Sequence, residues 1–220
     1  MKPTFVPLSY DKPCQDEVAK RARSFFEHMH RRRSVRAFSD EPVSDGIIRD
    51  LVRAASTAPS GAHQQPWTFV AVSTPNVKRQ IRVAAEHEER KNYGGRMSDD
   101  WLRAVEPLGT NADKSFLERA PWLVVLFRQD YGYDDNGERL RHYYVAESVG
   151  IAAGLFLTAV HQAGLVALTH TPSPMRFLKR ILERPDNETA SLLIPVGYPA
   201  PGVRVPDLKR KLIEEVLVTA

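Results

Sequence analysis

The run Arg31-Arg32-Arg33-Ser34-Val35-Arg36 concentrates guanidinium groups where a helix is expected to end. A second segment, Thr57 through Trp67, is a small-residue turn running into an aromatic strand start. Guanidinium groups suit phosphate because they offer planar, paired donors that stay charged. A turn of small residues lets backbone lie against a flat ring. Together the two segments suggest a site for a phosphorylated planar cofactor. A basic run alone is most often a solvated face, and Lys209-Arg210-Lys211 is open to the same reading.

Glu89 and Tyr93 are four residues apart, so on a helix they share a face. They could be an exposed pair on a polar helix end. Alternatively, they could anchor a ligand ammonium (Glu89) and carboxylate (the Tyr93 hydroxyl), with Lys114 as the cation that an amino-acid carboxylate needs. No local pattern brings Lys114 to Glu89. Thr169-His170-Thr171-Pro172 follows a short predicted strand, where hydroxyls could meet a ligand, although a loop histidine is more often a surface group. The seven histidines have no metal-ligand spacing. No G-x-S-x-G nucleophile turn and no G-x-G-x-x-G fingerprint occurs. The chemistry is therefore expected from a bound organic cofactor.

The elements that must position these groups are legible from periodicity. The pattern predicts a helix over about 15–32, with Val18, Ala22, Phe25 and Met29 on one face. A second starts at Ser44, directing Ile47, Ile48, Leu51, Val52 and Ala55 inward. Trp67 to Val72 reads as a buried strand, and Thr74-Pro75 opens a third helix ending near Tyr93-Gly94-Gly95. Pro121 to Phe127 reads as a strand, residues 134–137 (DDNG) as a turn, and about 140–162 as a central helix. Leu165 to Leu168, 174–182 and Ser191 to Val196 follow as strand, short helix and core strand. Leu212, Ile213, Val216 and Leu217 give the tail an apolar helical spacing suited to docking, for instance on another subunit.

The 220 residues fit one domain, 42% hydrophobic and 26% charged. A net charge of +4 suits an anionic ligand better than nucleic acid, which would want a larger basic face. One cysteine, Cys14, excludes an intramolecular disulfide and a thiolate cluster, and fits a reducing compartment. The N-terminus lacks the apolar run of a secretory signal. The apolar stretch Ile151 to Val160 reads as too short, and too polar at its ends, to span a bilayer. A soluble, cytoplasmic protein is expected.

Nearly the whole chain after about residue 25 resembles the iodotyrosine deiodinases of the flavin-dependent nitroreductase superfamily. The resemblance rests on R-R-S-V-R from Arg32, A-P-S-G-A-H from Ala58 with Pro66-Trp67, Asn92-Tyr93, Thr110-Asn111 before Lys114, His142-Tyr143-Tyr144, Thr171-Pro172, and V-G-Y-P with V-P-D-L-K-R-K through Lys211. R-S-V-R and P-W alone resemble only the superfamily. Glu89, Tyr93 and Lys114 together resemble the deiodinase branch.

The resemblance implies an α+β nitroreductase-like fold, with a central mixed or antiparallel sheet flanked by helices, in an intertwined homodimer with FMN sites at the interface. It implies a single domain over 1–220, with a lid over about 94–114 and a C-terminal arm over about 203–220. Arg32, Arg33, Ser34, Arg36 and Arg210 would hold FMN, Ser60 and Gly61 would lie along it, and Thr169, His170 and Thr171 would border it. Thr171 would sit by the reactive flavin nitrogen. Ala62 would offer its N–H to the substrate phenolate, while Glu89, Tyr93 and Lys114 grip the zwitterion. The implied reaction is reductive dehalogenation of halogenated tyrosine. The sequence shows no second cofactor site, which leaves room for a separate reductase or ferredoxin-like electron donor. A form without the animal members' membrane anchor is implied, and His170 stands where those members carry threonine. A general NAD(P)H-dependent nitroreductase or quinone reductase would use the same FMN residues without a zwitterion clamp. A nucleic-acid module is disfavoured, because no aromatics interleave the basic runs.

Overall fold

The computed structural model describes residues 3–220. The described residues form two compact units, divided after Arg32. The first contains α1 (Gln15–His30). The second holds α2 (Asp45–Ser56), β1 (Trp67–Val72), α3 (Pro75–Lys91), α4 (Asp99–Val105), α5 (Phe116–Arg119), β2 (Trp122–Gln129), β3 (Tyr131–Tyr133), β4 (Arg139–Arg141), α6 (Val145–Gln162), β5 (Val166–Ala167), α7 (Arg176–Ile181) and β6 (Glu188–Gly197).

The main sheet has the strand order β1-β2-β6-β5 and is antiparallel throughout. Its central strand β2 is buried from Leu123 to Phe127 on both faces. Leu123, Val125 and Phe127 point to one side, where Ile81 and Ala85 of α3, Leu117 of α5 and Leu178 of α7 complete the core. Val124 points to the other, against Leu51 of α2 and Phe156 and Val160 of α6. A strand whose alternate residues face two helical layers must be apolar throughout, which is why W-L-V-V-L-F is continuous.

Most predicted elements form close to the expected bounds, and five readings need correction. The central helix starts at Val145, not near 140. Leu140 lies in β4, paired with Gly132, and Tyr144 turns the chain through a left-handed conformation (φ 51°) before the helix. Leu140, Tyr143 and Tyr144 continue the apolar pattern upstream, so periodicity alone overruns the boundary. Strand β6 begins at Glu188, three residues before the expected Ser191. A charged residue masks that strand start, since Glu188 is buried by hydrogen bonds from Arg184 and Thr68. The apolar face of α1 buries nothing: Val18 and Phe25 are both exposed. The tail forms only a single turn at Ile213–Glu215, with Leu212, Val216 and Leu217 exposed.

Helix α6 is long and apolar enough to cross a membrane by length and composition, with mean hydropathy 1.2 over 18 residues. The expectation that this stretch is too short and polar is therefore corrected. Its buried side chains Val149, Ala152, Ala153, Phe156 and Val160 pack on the sheet and α2, the behaviour of a core helix.

Candidate active site

Helix α3 opens with Pro75 in its first turn and turns Ile81 and Ala85 into the core. That orientation carries Glu89, one turn past Ala85, under the same cover, and Glu89 is only 6% exposed. Past Lys91 the helix widens into a π-helical turn, Asn92–Arg96, closed by Gly95 at φ 116°. A Cβ would be strained at that angle. The widened turn swings Tyr93 toward α4, whose Trp101 meets its ring edge-on at 5.3 Å. Ser98 begins α4 by accepting the Trp101 N–H at 3.3 Å.

Lys114 comes from the loop before α5 and is 2% exposed. Its backbone N–H donates to Glu86 Oε1 at 3.0 Å, which fixes the loop on α3. Its ammonium lies 3.9 Å from Glu89 Oε1 and 5.8 Å from the Tyr93 ring centroid. It also donates to Thr110 Oγ1 at 3.1 Å and to the Asn111 carbonyl. Burial pushes the Glu89 carboxyl above its ordinary range, opposed by the Lys114 charge and a hydrogen bond from Asn92. Burial pulls Lys114 down, opposed by Glu89. Each charge is what keeps the other ionised away from water.

These groups line a cavity of about 820 Å³, together with Arg36, Thr169, His170 and Thr171. The Thr169–Thr171 segment is held by two backbone hydrogen bonds between His170 and Leu193 of β6, at 2.8 and 2.9 Å. Arg36 loses solvation by burial, which lowers its pKa, and the nearby Tyr93 hydroxyl opposes that shift. His170 is pushed down to about 3, first by burial and then by the Lys114 and Arg36 charges, so its imidazole is neutral.

The other expected site residues lie outside this cavity lining. Ser34 pairs with Ala167 of β5, and Arg33 donates to the Pro206 carbonyl, tying the tail four residues before Arg210. Arg32 closes the N-terminal unit. Ser60, Gly61 and Ala62 lie on a short turn beside the start of α6, where Gly61 N–H donates to Ser148 Oγ at 3.2 Å. A Cβ on Gly61 would lie 2.5 Å from the Tyr143 carbonyl oxygen. Ala62, His63 and Gln65 all hold positive φ (50°, 55° and 48°), a strained turn that surrounding contacts must maintain.

Sequence reasoning missed Arg96 and gave Asn92 only as part of the Asn92-Tyr93 motif, with no role. Arg96 donates to Asn92 Oδ1 at 2.7 Å, Glu88 Oε2 at 2.6 Å and the carbonyls of Glu88 and Ser173. Asn92 also donates to Ser173, at 3.2 Å. The π-helical turn is thereby laced to the loop after Thr171, bridging both walls of the cavity. Only the i, i+4 spacing of Asn92 and Arg96 hinted at this.

The profile of the nitroreductase family matches residues 29–198. An iodotyrosine deiodinase of Haliscomenobacter hydrossis is 52% identical over 99% of this chain and 98% of its own length. The human iodotyrosine deiodinase 1 is 44% identical over 97% of this chain and 74% of its own. Among solved structures, an oxidised iodotyrosine deiodinase bound to FMN and 3-iodo-L-tyrosine superposes with a TM-score of 0.73 at 26% identity, covering 86% of this chain and 96% of that one.

Proposed function

This chain belongs to the nitroreductase family, and from that premise we propose that it is an FMN-dependent enzyme that reductively dehalogenates halogenated tyrosine. The observation that carries the reading is the buried Glu89–Lys114 pair inside the cavity, beside Tyr93. A general quinone or nitro reductase has no use for two opposite charges kept from water at such cost. A zwitterion needs both. Glu89 meets its ammonium, while Lys114 and the Tyr93 hydroxyl meet its carboxylate.

The residues present fit FMN. Arg33 and Arg36 supply guanidinium donors for phosphate and ring, with Arg32 and Arg210 as further cations. Thr169 and Thr171 border the cavity with hydroxyls, and Gly61 keeps a wall where a side chain would clash. Bound in its reduced form, FMN would supply two electrons which, with a proton taken up at the ring carbon, replace the halogen by hydrogen and give halide and tyrosine. The protein orients and shields: the Glu89, Tyr93 and Lys114 grip would fix the substrate ring, Ala62 N–H would steady its phenolate oxygen, and Thr171 would offer a hydrogen bond to the reactive nitrogen of the flavin. Residues 94–114 act as a lid that excludes water.

In one chain, Ser60, Gly61 and Ala62 lie outside the cavity lining that holds Glu89. That division, with the exposed apolar faces of α1 and the tail, supports a homodimer in which two chains complete each site. Electrons arrive from a separate reductase or ferredoxin-like protein, and the exposed thiol of Cys14 fits the reducing cytoplasm.

The test is a single anaerobic turnover of FMN-loaded protein reduced with dithionite and given 3-iodotyrosine. Stoichiometric tyrosine with reoxidised flavin is expected, and none forms in a protein-free control. Fully reduced protein that forms no tyrosine would overturn the assignment in favour of a general reductase.

A further inference from the structure

Nε2 of His170 is buried and has no hydrogen-bond partner among the described residues. It faces Glu89 Oε1 at 3.9 Å. That is too long for a hydrogen bond, and a side-chain movement of about 1 Å would make one. The histidine cannot drift away, because its backbone is locked to Leu193 and its ring meets the edge of Phe116 at 6.0 Å. The charged groups facing it are Glu89 from α3, Lys114 from the loop before α5, and Arg36 from the extended segment before α2. The two cations and burial keep the imidazole neutral, with one ring N–H to place. A bare lone pair opposite a carboxylate would be repelled by it, so we assign the proton to Nε2.

We propose that His170 is a positioning residue for the amino-acid end of the substrate: its Nε2–H donates to Glu89 as the ligand ammonium engages that carboxylate, holding it aimed. This rests on the halotyrosine reading and deepens it, since the residue then sets selectivity for substrates that carry an α-ammonium. Glu89 needs such a donor. Its desolvation favours the uncharged acid, opposed by Lys114, Asn92 and Arg96, and a further N–H bond favours the charged form that an ammonium requires.

The experiment uses the FMN-loaded holoenzyme with dithionite as reductant and two probes, 3-iodotyrosine and 2-iodophenol, which lacks the zwitterion. The readout is the ratio of their KM values across pH. In His170→Leu the ratio, 3-iodotyrosine over 2-iodophenol, rises about tenfold, the scale of one lost hydrogen bond to a charged group. The acid limb of 3-iodotyrosine binding moves upward by about one pH unit. In His170→Gln, whose amide nitrogen reaches the place of Nε2, the ratio returns to within about threefold of the parent and the limb to within about half a pH unit.

An unchanged ratio and limb in His170→Leu, or a His170→Gln as impaired as His170→Leu, overturns the proposal alone. If His170→Leu does not fold, His170→Asn, whose amide falls short of Glu89, replaces it with the same expectations. A parent enzyme with equal KM for both probes overturns the proposal together with the halotyrosine reading.

Discussion

Lys114 Nζ lies 3.9 Å from Glu89 Oε1, with the two side chains only 3% and 8% exposed. The separation exceeds a direct hydrogen bond, so both groups keep capacity for a ligand. Burial has already been offset by mutual attraction, and a zwitterion can insert without either charge becoming orphaned.

Glu89→Gln leaves the shape of this site and removes one charge, so Lys114 loses its counter-ion. Affinity for 3-iodotyrosine should fall by about 2–5 kcal/mol, or about thirtyfold or more in Kd, while FMN remains bound. In the parent, affinity should decline with acid as Glu89 protonates, above the 4.5 of an ordinary glutamate. Titrating flavin fluorescence with 3-iodotyrosine at a series of pH values measures both effects, and an unaltered Kd in Glu89→Gln would sink the clamp.

Buried neutral His170 should leave a mark on stability. Its pKa is about 3 in the fold against an ordinary 6.5, so between those values the unfolded chain binds the extra proton. Stability therefore falls as pH drops from 6.5 toward 3, by at most about 5 kcal/mol from this group. Urea unfolding across that window should show a shallower acid slope in His170→Leu than in the parent.

Gly61→Ala places a methyl 2.5 Å from the Tyr143 carbonyl oxygen and 2.9 Å from the Tyr144 ring. Overpacking of this kind costs about 1–3 kcal/mol. Thermal unfolding should register it as a drop of roughly 2–4 °C per kcal/mol, and the flavin content of purified protein should fall as well.

Arg96 ties the π-helical turn to the Ser173 loop through donors that a lysine cannot reproduce at once. In Arg96→Lys, hydrogen exchange should quicken across residues 92–105, and KM for 3-iodotyrosine should rise about five- to tenfold, the scale of one or two hydrogen bonds. Unchanged exchange would mean that the turn is held by other contacts.

Phe25 and Phe26 are more than half exposed on α1. In the proposed homodimer, paired substitution to glutamate should shift the protein from dimer to monomer in sedimentation velocity and strip FMN with it. A stable, yellow monomer would argue against a site shared between two chains.

Much of this molecule was legible before folding. Trp67 to Val72 and the core of β2 follow from apolar runs bounded by turn residues, and the start of α3 follows from Thr74-Pro75, because these signals are local. Glu89 and Tyr93 could be paired on one face by helical period alone. What the chain by itself could not decide was whether that face was wet. The tertiary structure answered this by folding Lys114, twenty-five residues downstream of Glu89, onto α3 through Glu86. Burial and long-range charge depend on distances through space, and no periodicity encodes them. The same reason hid β4 behind an apolar run, Glu188 inside a strand, and the Arg96 lacing. Conversely, the apolar stripe of α1 was legible as a pattern, yet amphipathic spacing states only that a face wants cover, and within the described chain α1 buries none of it.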